Sequence, residues 1–141
     1  MKHELSWDFL ETIPEAMREI RTELLRSPSA ELTIPQYRVL SRLAKEAQNN
    51  KQLAESLGVT VANMSRLVQG MVQRKLVVGT PNKTDRREVL LSLSPKGRKL
   101  FESMRKETRE NLESRFQILT LNEQQSLQEA LQLMQKMLRK I

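Results

Sequence analysis

The chain has 141 residues, of which 38% are hydrophobic and 29% charged, and it carries a formal net charge of +7. This length and composition predict one globular domain rather than a disordered chain. The sequence contains no cysteine, no run of 18 apolar residues and no signal-peptide core, so disulfides, thiolate metal sites and a membrane-spanning helix are excluded and a cytoplasmic protein is expected.

The positive charge is concentrated in one segment. Between Arg74 and Lys99 the chain has eight basic and two acidic residues, so this segment carries +6 of the net charge. Such a local excess is typical of a surface that binds a polyanion, such as the phosphates of nucleic acid. The alternative is an ordinary solvated surface with a chance excess of lysine and arginine.

The N-terminal segment has apolar residues spaced three and four apart, which predicts a helix with one narrow apolar face. These residues are Leu10, Ile13, Met17, Ile20 and Leu24. Thr12 and Glu15 have capping-box spacing, and Pro14 lies between them. The pattern therefore predicts a helix that either begins at Thr12 or bends at Pro14.

A second helix is predicted over residues 35–47. Thr33 and Gln36 have capping-box spacing at its start, and Pro35 suits the first turn. The residues that share its apolar face are Tyr37, Leu40, Leu43, Ala44 and Ala47.

Two further short helices are predicted around a tight turn. Asn50 is the expected N-cap of the first, over residues 51–57, and Gly58 follows as a natural helix end. Thr60 is the expected cap of the second, which runs to about Arg74.

This last helix divides into an apolar and a polar face. The inward positions are Met64, Leu67, Val68, Met71 and Val72, and the opposite face carries Ala62, Asn63, Ser65, Arg66, Gln69 and Gln73. Amides, one arginine and small apolar side chains suit a recognition helix that reads base edges in the DNA major groove. The alternative is an ordinary pair of packed helices in an all-α core.

A basic hairpin is predicted next. Two short strands, residues 76–78 and 89–93, flank a loop that contains Asp85, Arg86 and Arg87. Ser94-Pro95 then predicts the start of a long helix, because serine is a good N-cap and proline suits the first helical position. Helices followed by a basic hairpin form the winged-helix order.

The C-terminal segment repeats the pattern of the N-terminal one. Thr120 and Glu123 have capping-box spacing. The apolar stripe that follows consists of Leu127, Leu131, Met134, Leu138 and Ile141. The two terminal stripes could each pack within the monomer, but they are better explained by packing on each other or across the two-fold axis of a dimer.

Three stretches of the sequence carry a family resemblance. They are LTIPQYRVL, KQLAESLGVTVANMSRLVQGMVQRKLV and DRREVLLSLSPKGRKLF, spanning about Leu32 to Phe101. Together they resemble the MarR family of bacterial transcription regulators. The resemblance implies a mainly α fold with a small β-hairpin wing, in which a winged helix-turn-helix DNA-binding lobe is flanked by N- and C-terminal dimerisation helices.

The boundaries implied by the resemblance place the DNA-binding lobe at residues 32–99 of a single domain that covers residues 1–141. Within this lobe the helix-turn-helix is expected at about residues 50–74 and the wing at about 76–93. The dimerisation helices are expected at residues 5–27 and 94–141, with an interface formed by Leu10, Ile13, Met17, Ile20, Leu127, Leu131, Met134 and Leu138.

The resemblance also implies the residues that contact DNA. The expected readers of the major groove are Thr60, Val61, Ala62, Asn63, Ser65, Arg66 and Gln69, and the expected backbone contacts are Lys51, Gln52, Arg74, Lys75 and Lys83. Arg86 or Arg87 is expected to enter the minor groove, braced by Asp85. The alternative for the wing charges is a solvated hairpin tip.

Many proteins of the family bind a small effector, often aromatic or anionic. Trp7, Phe9, Met17, Tyr37 and Arg38 are candidates for such a pocket here, but each is equally explained by core packing, and the sequence leaves the pocket unknown. The single histidine, His3, lies near the terminus, so we expect no metal site, and we expect no cofactor.

The function expected from the sequence is that of a repressor that binds an inverted-repeat operator as a homodimer, without contact with membranes. An enzyme is disfavoured, because the chain lacks cysteine, has one histidine and has no glycine-rich phosphate loop. The alternatives from other classes are a winged-helix protein-interaction module and a nonspecific DNA-binding protein without a ligand response.

Overall fold

The computed structural model describes residues 2–27, 31–85 and 87–139, with six helices and two strands. In chain order these are α1 Lys2–Leu25, α2 Ile34–Lys45, α3 Asn50–Leu57, α4 Val61–Gln73, β1 Val77–Pro81, β2 Val89–Leu93, α5 Pro95–Phe116 and α6 Leu121–Arg139. The chain forms two compact units, residues 1–108 and residues 109–141. None of the described helices is long and apolar enough to cross a membrane.

Helix α1 is continuous and contains Pro14 in its interior. Of the two predicted alternatives, a start at Thr12 is therefore ruled out, and the helix runs through Pro14. Proline removes one hydrogen bond, to the carbonyl four residues earlier, and its ring crowds that carbonyl, but the other backbone bonds of the helix remain. Most of the apolar stripe of α1 is exposed, and only Leu24, near its end, is buried.

The core of the first unit lies among α2, α3, α4, the hairpin and the start of α5. Its fully buried side chains include Val39, Leu40, Leu53, Met64, Met71, Leu76, Val77 and Met104. The predicted inward face of α4 is confirmed for Met64, Val68 and Met71, while Leu67 is half-buried. Val72 is 43% exposed, contrary to prediction, because it lies at the edge of the apolar stripe.

Apart from Thr12, the helix caps follow the sequence with one exception. Thr33 forms the predicted capping box with Gln36, and the hydroxyl of Thr60 accepts a bond from the N–H of Asn63. The cap of α3, however, is Asn49 and not Asn50. The third residue after Asn49 is Gln52, which bonds back to the cap, whereas the corresponding residue for Asn50 would be Leu53, which cannot.

The hairpin is antiparallel, and Val77 pairs with Leu93 while Pro81 pairs with Val89. The backbone of Gln48 also forms a bridge to Leu91, with N···O distances of 3.1 and 2.8 Å. Strand β2 therefore pairs on both edges at Leu91, and the middle of this strand is attached to the segment that leads into α3.

The second unit consists of the end of α5 and of α6. Thr120 and Glu123 form the predicted capping box, and the N–H of Thr120 and then its side chain hold the pKa of the Glu123 carboxyl below its usual value. None of the described residues of α6 is buried. The last predicted member of its stripe, Ile141, lies outside the described residues.

Candidate nucleic-acid interface

The turn between α3 and α4 is closed by Gly58, whose φ is 67°. The left-handed conformation is open to glycine without a steric penalty, and it lets the N–H of Val59 bond the carbonyl of Ala54 at 3.0 Å. Ala54 is buried at 2% exposure, so its small side chain allows α3 to lie close to α4. The sequence anticipated this helix-turn-helix geometry.

The outward face of α4 contains the predicted groove-reading residues. Thr60, Val61, Ala62, Asn63, Arg66 and Gln69 are exposed, and Ser65 is half-buried. The hydroxyl of Thr60 accepts the backbone N–H of Asn63 at 3.1 Å. The side-chain amide of Asn63 takes no part in this bond and has no partner among the described residues. The face thus offers an amide, a guanidinium and small methyl groups to a ligand in front of the helix.

Two predicted backbone contacts, Lys51 and Gln52, lie in the first turn of α3 and are exposed. The side-chain oxygen of Gln52 accepts the N–H of Asn49 at 2.9 Å, so its amide nitrogen remains available as a donor. Arg74 is less free, because its guanidinium lies 3.9 Å from the carboxylate of Glu31. Both side chains are open to solvent, so the attraction is weak.

The end of α4 places Lys75 in a conformation unusual for a residue with a side chain. Its φ is 62°, its N–H bonds the carbonyl of Val72 at 2.9 Å, and the N–H of Leu76 bonds the carbonyl of Met71 at 3.0 Å. These two bonds define a Schellman motif, in which glycine is the usual residue at the position of Lys75. The lysine side chain is exposed beside the basic hairpin.

The start of α5 is packed tightly against this turn. The hydroxyl of Ser94 donates to the carbonyl of Lys75 at 2.5 Å and accepts the N–H of Gly97 at 2.9 Å. A Cβ atom on Gly97 would lie 2.0 Å from the carbonyl oxygen of Leu76. Sequence reasoning recognised Ser94 as a cap but missed Gly97, because the close approach involves residues that are distant along the chain.

The wing loop carries the tandem arginines. The carboxylate of Asp85 accepts the backbone N–H of Arg87 at 3.0 Å and lies 3.8 Å from its guanidinium, which is 97% exposed. Asp85 therefore braces Arg87, a pairing that the sequence left open. Arg86 lies outside the described residues. Lys83 is exposed in the same loop.

The residues considered for an effector pocket do not all line one cavity. Tyr37 and Arg38 line a cavity of about 220 Å³ together with Ser41, Arg42, Lys45 and Leu57. Trp7, Phe9 and Met17 do not line it. The Tyr37 ring lies 5.4 Å from that of Phe101, and burial raises the pKa of its phenol against the opposing charge of Arg105. Among the described residues, no group of three or more acidic, histidine or cysteine side chains is placed to hold a metal ion.

Known proteins resemble this chain in sequence and in fold. A family model described as the MarR family matches residues 30–88. An uncharacterized HTH-type transcriptional regulator of Mycobacterium bovis is 31% identical over 119 residues, which cover 84% of this chain and 83% of that protein.

Solved structures agree over nearly the whole length of the chain. The crystal structure of RV1404 from Mycobacterium tuberculosis superposes with a TM-score of 0.82 at 23% identity and covers 96% of this chain and 92% of that one. The transcriptional repressor CouR, bound to a 23-mer DNA duplex, superposes with a TM-score of 0.71 at 25% identity and covers 95% and 96% of the two chains. The predicted fold class, mainly helical with a two-stranded wing, is confirmed.

Proposed function

The chain belongs to the MarR family of helix-turn-helix transcriptional regulators, and from this premise we propose that it represses transcription by binding an inverted-repeat DNA operator as a homodimer. Its family and fold are those of regulators, which are not enzymes. The observation that carries the proposal is the exposed polar face of α4 beside the basic wing.

The face of α4 supports base reading in the major groove. Asn63 and Arg66 expose side chains that are free of hydrogen bonds to other described residues. An asparagine amide can pair with the edge of adenine and an arginine guanidinium with that of guanine, each through two hydrogen bonds. In this proposal Thr60, Val61, Ala62, Ser65 and Gln69 complete the contact surface around them.

The wing and the ends of the neighbouring helices support contact with the phosphate backbone. Arg87 extends from the loop into solvent, and Lys83 is exposed in the same loop. We assign the minor groove to the arginine pair and the phosphates to Lys51, Gln52, Arg74, Lys75 and Lys83, because guanidinium groups favour the negative potential of a narrow minor groove. The CouR complex supports DNA as the partner, because a protein of similar fold is bound to a DNA duplex.

The exposed apolar stripes support a homodimer. In α1, Leu10 and Met17 are 61% and 63% exposed, and Ile20 belongs to the same face. In the second unit, an open groove of about 440 Å³ is lined by Phe116, Leu121, Leu127 and Leu131 together with glutamines. Apolar surface of this extent is costly in water, so a second copy of the chain is the proposed cover for both stripes.

Repression and a response to a small aromatic or anionic effector belong to the same proposal. A homodimer seated on an operator blocks access to the DNA, and CouR is itself described as a repressor. An effector that binds one arrangement of the dimer better than another would shift the DNA affinity. The cavity at Tyr37 and Arg38 is the candidate site, and its three basic side chains suit an anion.

Selection of bound duplexes from a random-sequence DNA pool, with the full chain as bait, tests the function. We expect enrichment of an inverted repeat with half-sites about 10–10.5 base pairs apart, which is one helical turn. Asn63→Ala and Arg66→Ala should each weaken binding to the enriched duplex by about 1–3 kcal/mol, and they should have little effect on binding to a scrambled duplex.

A charge-matched control separates base reading from general attraction. Arg109→Ala removes a positive charge from an exposed position of α5 outside the proposed interface. It should not markedly change the affinity for the enriched duplex or for the scrambled one. A pool without any enriched sequence would contradict the proposal. It would favour a nonspecific DNA-binding protein if binding persists, and a protein-interaction module if the chain binds no DNA.

A further inference from the structure

Glu88 is one of only two acidic residues in the basic segment, and its carboxylate joins two elements. Oε2 accepts a hydrogen bond from the side-chain amide of Asn82 at 2.6 Å, and Oε1 accepts one from the side-chain amide of Asn49. Asn82 lies at the start of the wing loop, whereas Asn49 lies immediately before α3. A single carboxylate therefore links the wing to the helix-turn-helix.

The amide of Asn49 has two roles. Its Oδ1 accepts the N–H of Gln52 at 2.8 Å, which caps α3, while its Nδ2 donates to Glu88. An asparagine amide provides an acceptor and a donor on one rigid plane, which neither serine nor aspartate does. The cap and the link to the wing can therefore be separated by substitution at this one position.

The link lies farther along the wing than the backbone bridge to the segment before α3. That bridge, between Gln48 and Leu91, attaches the middle of β2. Beyond it, β1 and β2 pair only with each other, and an isolated two-stranded hairpin is marginally stable in water. A second attachment at Glu88, closer to the tip, determines the direction in which the wing extends.

The contacts continue from Glu88 to the arginine. The N–H of Glu88 donates to the carbonyl of Asp85 at 3.0 Å, and its carbonyl accepts the N–H of Asn82 at 2.8 Å, which closes the loop. The side chain of Asp85 in turn holds the N–H of Arg87. The position of Arg87 relative to α4 therefore depends on the attachment of Glu88 to Asn49.

We propose that Glu88 is a positioning residue that holds the wing against the helix-turn-helix through Asn49, so that the wing arginines and α4 reach the DNA together. This inference rests on the proposed function. By its charge alone, a carboxylate near phosphates would weaken DNA binding, whereas a carboxylate that positions the wing would strengthen it. The two possible roles of Glu88 therefore have opposite effects on the affinity for DNA.

Two substitutions use this difference in sign. Glu88→Gln removes the negative charge and one of the two acceptors, and Asn49→Ser keeps a good helix cap without changing any charge. Electrostatics alone predicts tighter binding for the first and no change for the second. Positioning predicts that each weakens binding to the selected duplex by about threefold to tenfold, the range expected when one hydrogen bond is removed.

The control is Glu55→Gln, which removes an acidic charge from an exposed position of α3. This variant should bind the selected duplex as tightly as the parent chain or more tightly. In a variant that lacks both wing arginines, Asn49→Ser should change the affinity less than about twofold, because the arginines that the link is proposed to position are absent. Equal or tighter binding by Glu88→Gln and Asn49→Ser would overturn the inference, and so would a full effect of Asn49→Ser without the arginines.

A measurement without DNA tests the link itself. Because the chain has no cysteine, Lys83→Cys creates a unique site in the wing loop for a nitroxide label. The label should move faster in Asn49→Ser and Glu88→Gln than in the parent, and unchanged spectra would overturn the inference. If the parent chain binds no duplex selectively, the proposed function fails, while the label still decides whether Glu88 holds the wing.

Discussion

Lys75 shows how one residue serves both the fold and the proposed interface. Its backbone closes α4 with a φ of 62°, a region in which a side chain is strained, and its ammonium group extends from the same turn. Thr60 combines roles in a similar way, because its hydroxyl caps α4 while the residue lies at the front of the proposed reading face. At such a residue, one substitution can change the backbone conformation, and another can change the chemical group that the side chain presents at the surface.

Lys75→Gly should raise the free energy of unfolding by about 0.5–1 kcal/mol, because glycine adopts the left-handed conformation without strain. Lys75→Ala is the control, since it removes the same charge but keeps a Cβ atom. Urea denaturation at equal protein concentration gives the comparison. If the glycine variant were no more stable than the alanine variant, the strain assigned to Lys75 would be absent.

The tandem arginines of the wing are expected to displace counterions from the DNA when they enter the minor groove between the two phosphate backbones. Replacing Arg86 and Arg87 by alanine should weaken binding to the selected duplex, because fewer counterions are then released from the DNA. The slope of log affinity against log salt should become shallower by up to about 0.9 for each phosphate that the arginines neutralise. Fluorescence anisotropy of a labelled duplex over a range of salt concentrations measures both quantities.

The matched control for this experiment is the removal of Lys106 and Arg109, two exposed bases of α5. This double variant has the same net charge as the wing variant. We expect its salt slope to stay close to that of the parent. A wing variant with an unchanged slope would show that the hairpin tip is solvated and makes no contact with DNA.

Among the helices and strands, the winged helix is held together at its junctions. Gln48 attaches β2 to the segment before α3, and Ser94 attaches the start of α5 to the turn after α4. Gly97 permits this second junction, because the backbone of Leu76 occupies the space where a side chain would be. The orientation of α5 against the hairpin therefore depends on the absence of a single methyl group.

Gly97→Ala should destabilise the protein by about 1–3 kcal/mol, the usual cost of overpacking, because the carbonyl of Leu76 cannot yield without breaking the junction. Gly70→Ala is a control that is expected to stabilise the protein instead of destabilising it. A Cβ atom at Gly70, within α4, would meet nothing within 4 Å, so alanine should stabilise the helix by up to about 1 kcal/mol. Thermal or urea unfolding distinguishes the two, and equal effects would contradict the assigned clash.

For the molecule as a whole, exposed apolar surface is the main feature that one chain leaves unexplained. Helix α6 has no buried residue in its described part, and Leu131 and Leu138 are 46% and 56% exposed. Helix α1 exposes its own stripe in the same manner. A lone chain with these surfaces would be prone to associate, and association into a symmetric dimer closes the surfaces without leading to a polymer.

The full chain should sediment as a dimer at micromolar concentration. Leu127→Asp combined with Leu131→Asp should shift it toward monomer by more than about tenfold in dissociation constant, because burying an unpaired carboxylate is costly. Gln132→Asp places a similar charge elsewhere on α6, outside the apolar stripe, and should leave the dimer intact. A folded parent monomer at that concentration would disprove the role proposed for the stripes.

Local sequence patterns predicted much of this protein, and their failures have physical reasons. The capping boxes at Thr33 and Thr120 and the helix end at Gly58 were predictable because they depend on residues within one or two turns of chain, whereas the full fold class followed from the family resemblance. The cap at Asn49 was also within reach, since only that asparagine is followed at the right distance by a residue that can bond back. Of the two alternatives for α1, a start at Thr12 was wrong, and a helix that runs through Pro14 is observed. That helix loses the hydrogen bond of Pro14 and crowds the carbonyl four residues earlier, but its other bonds remain.

Side-chain periodicity, caps and composition were enough to establish most of the helices and strands, the polar face of α4 and the concentration of positive charge around the wing. These signals act over short distances along the chain, so they can be read before the fold is known. Two features emerged only from the folded structure: Gly97 must lack a side chain, and Glu88 joins the wing to Asn49. The expected contact of Asp85 was open between two arginines, and its carboxylate bonds the N–H of Arg87. The contacts of Gly97 and Glu88 bring together atoms from distant parts of the sequence, and that of Asp85 depends on the path of the wing loop. The first two therefore follow from how the folded elements pack and not from local pattern.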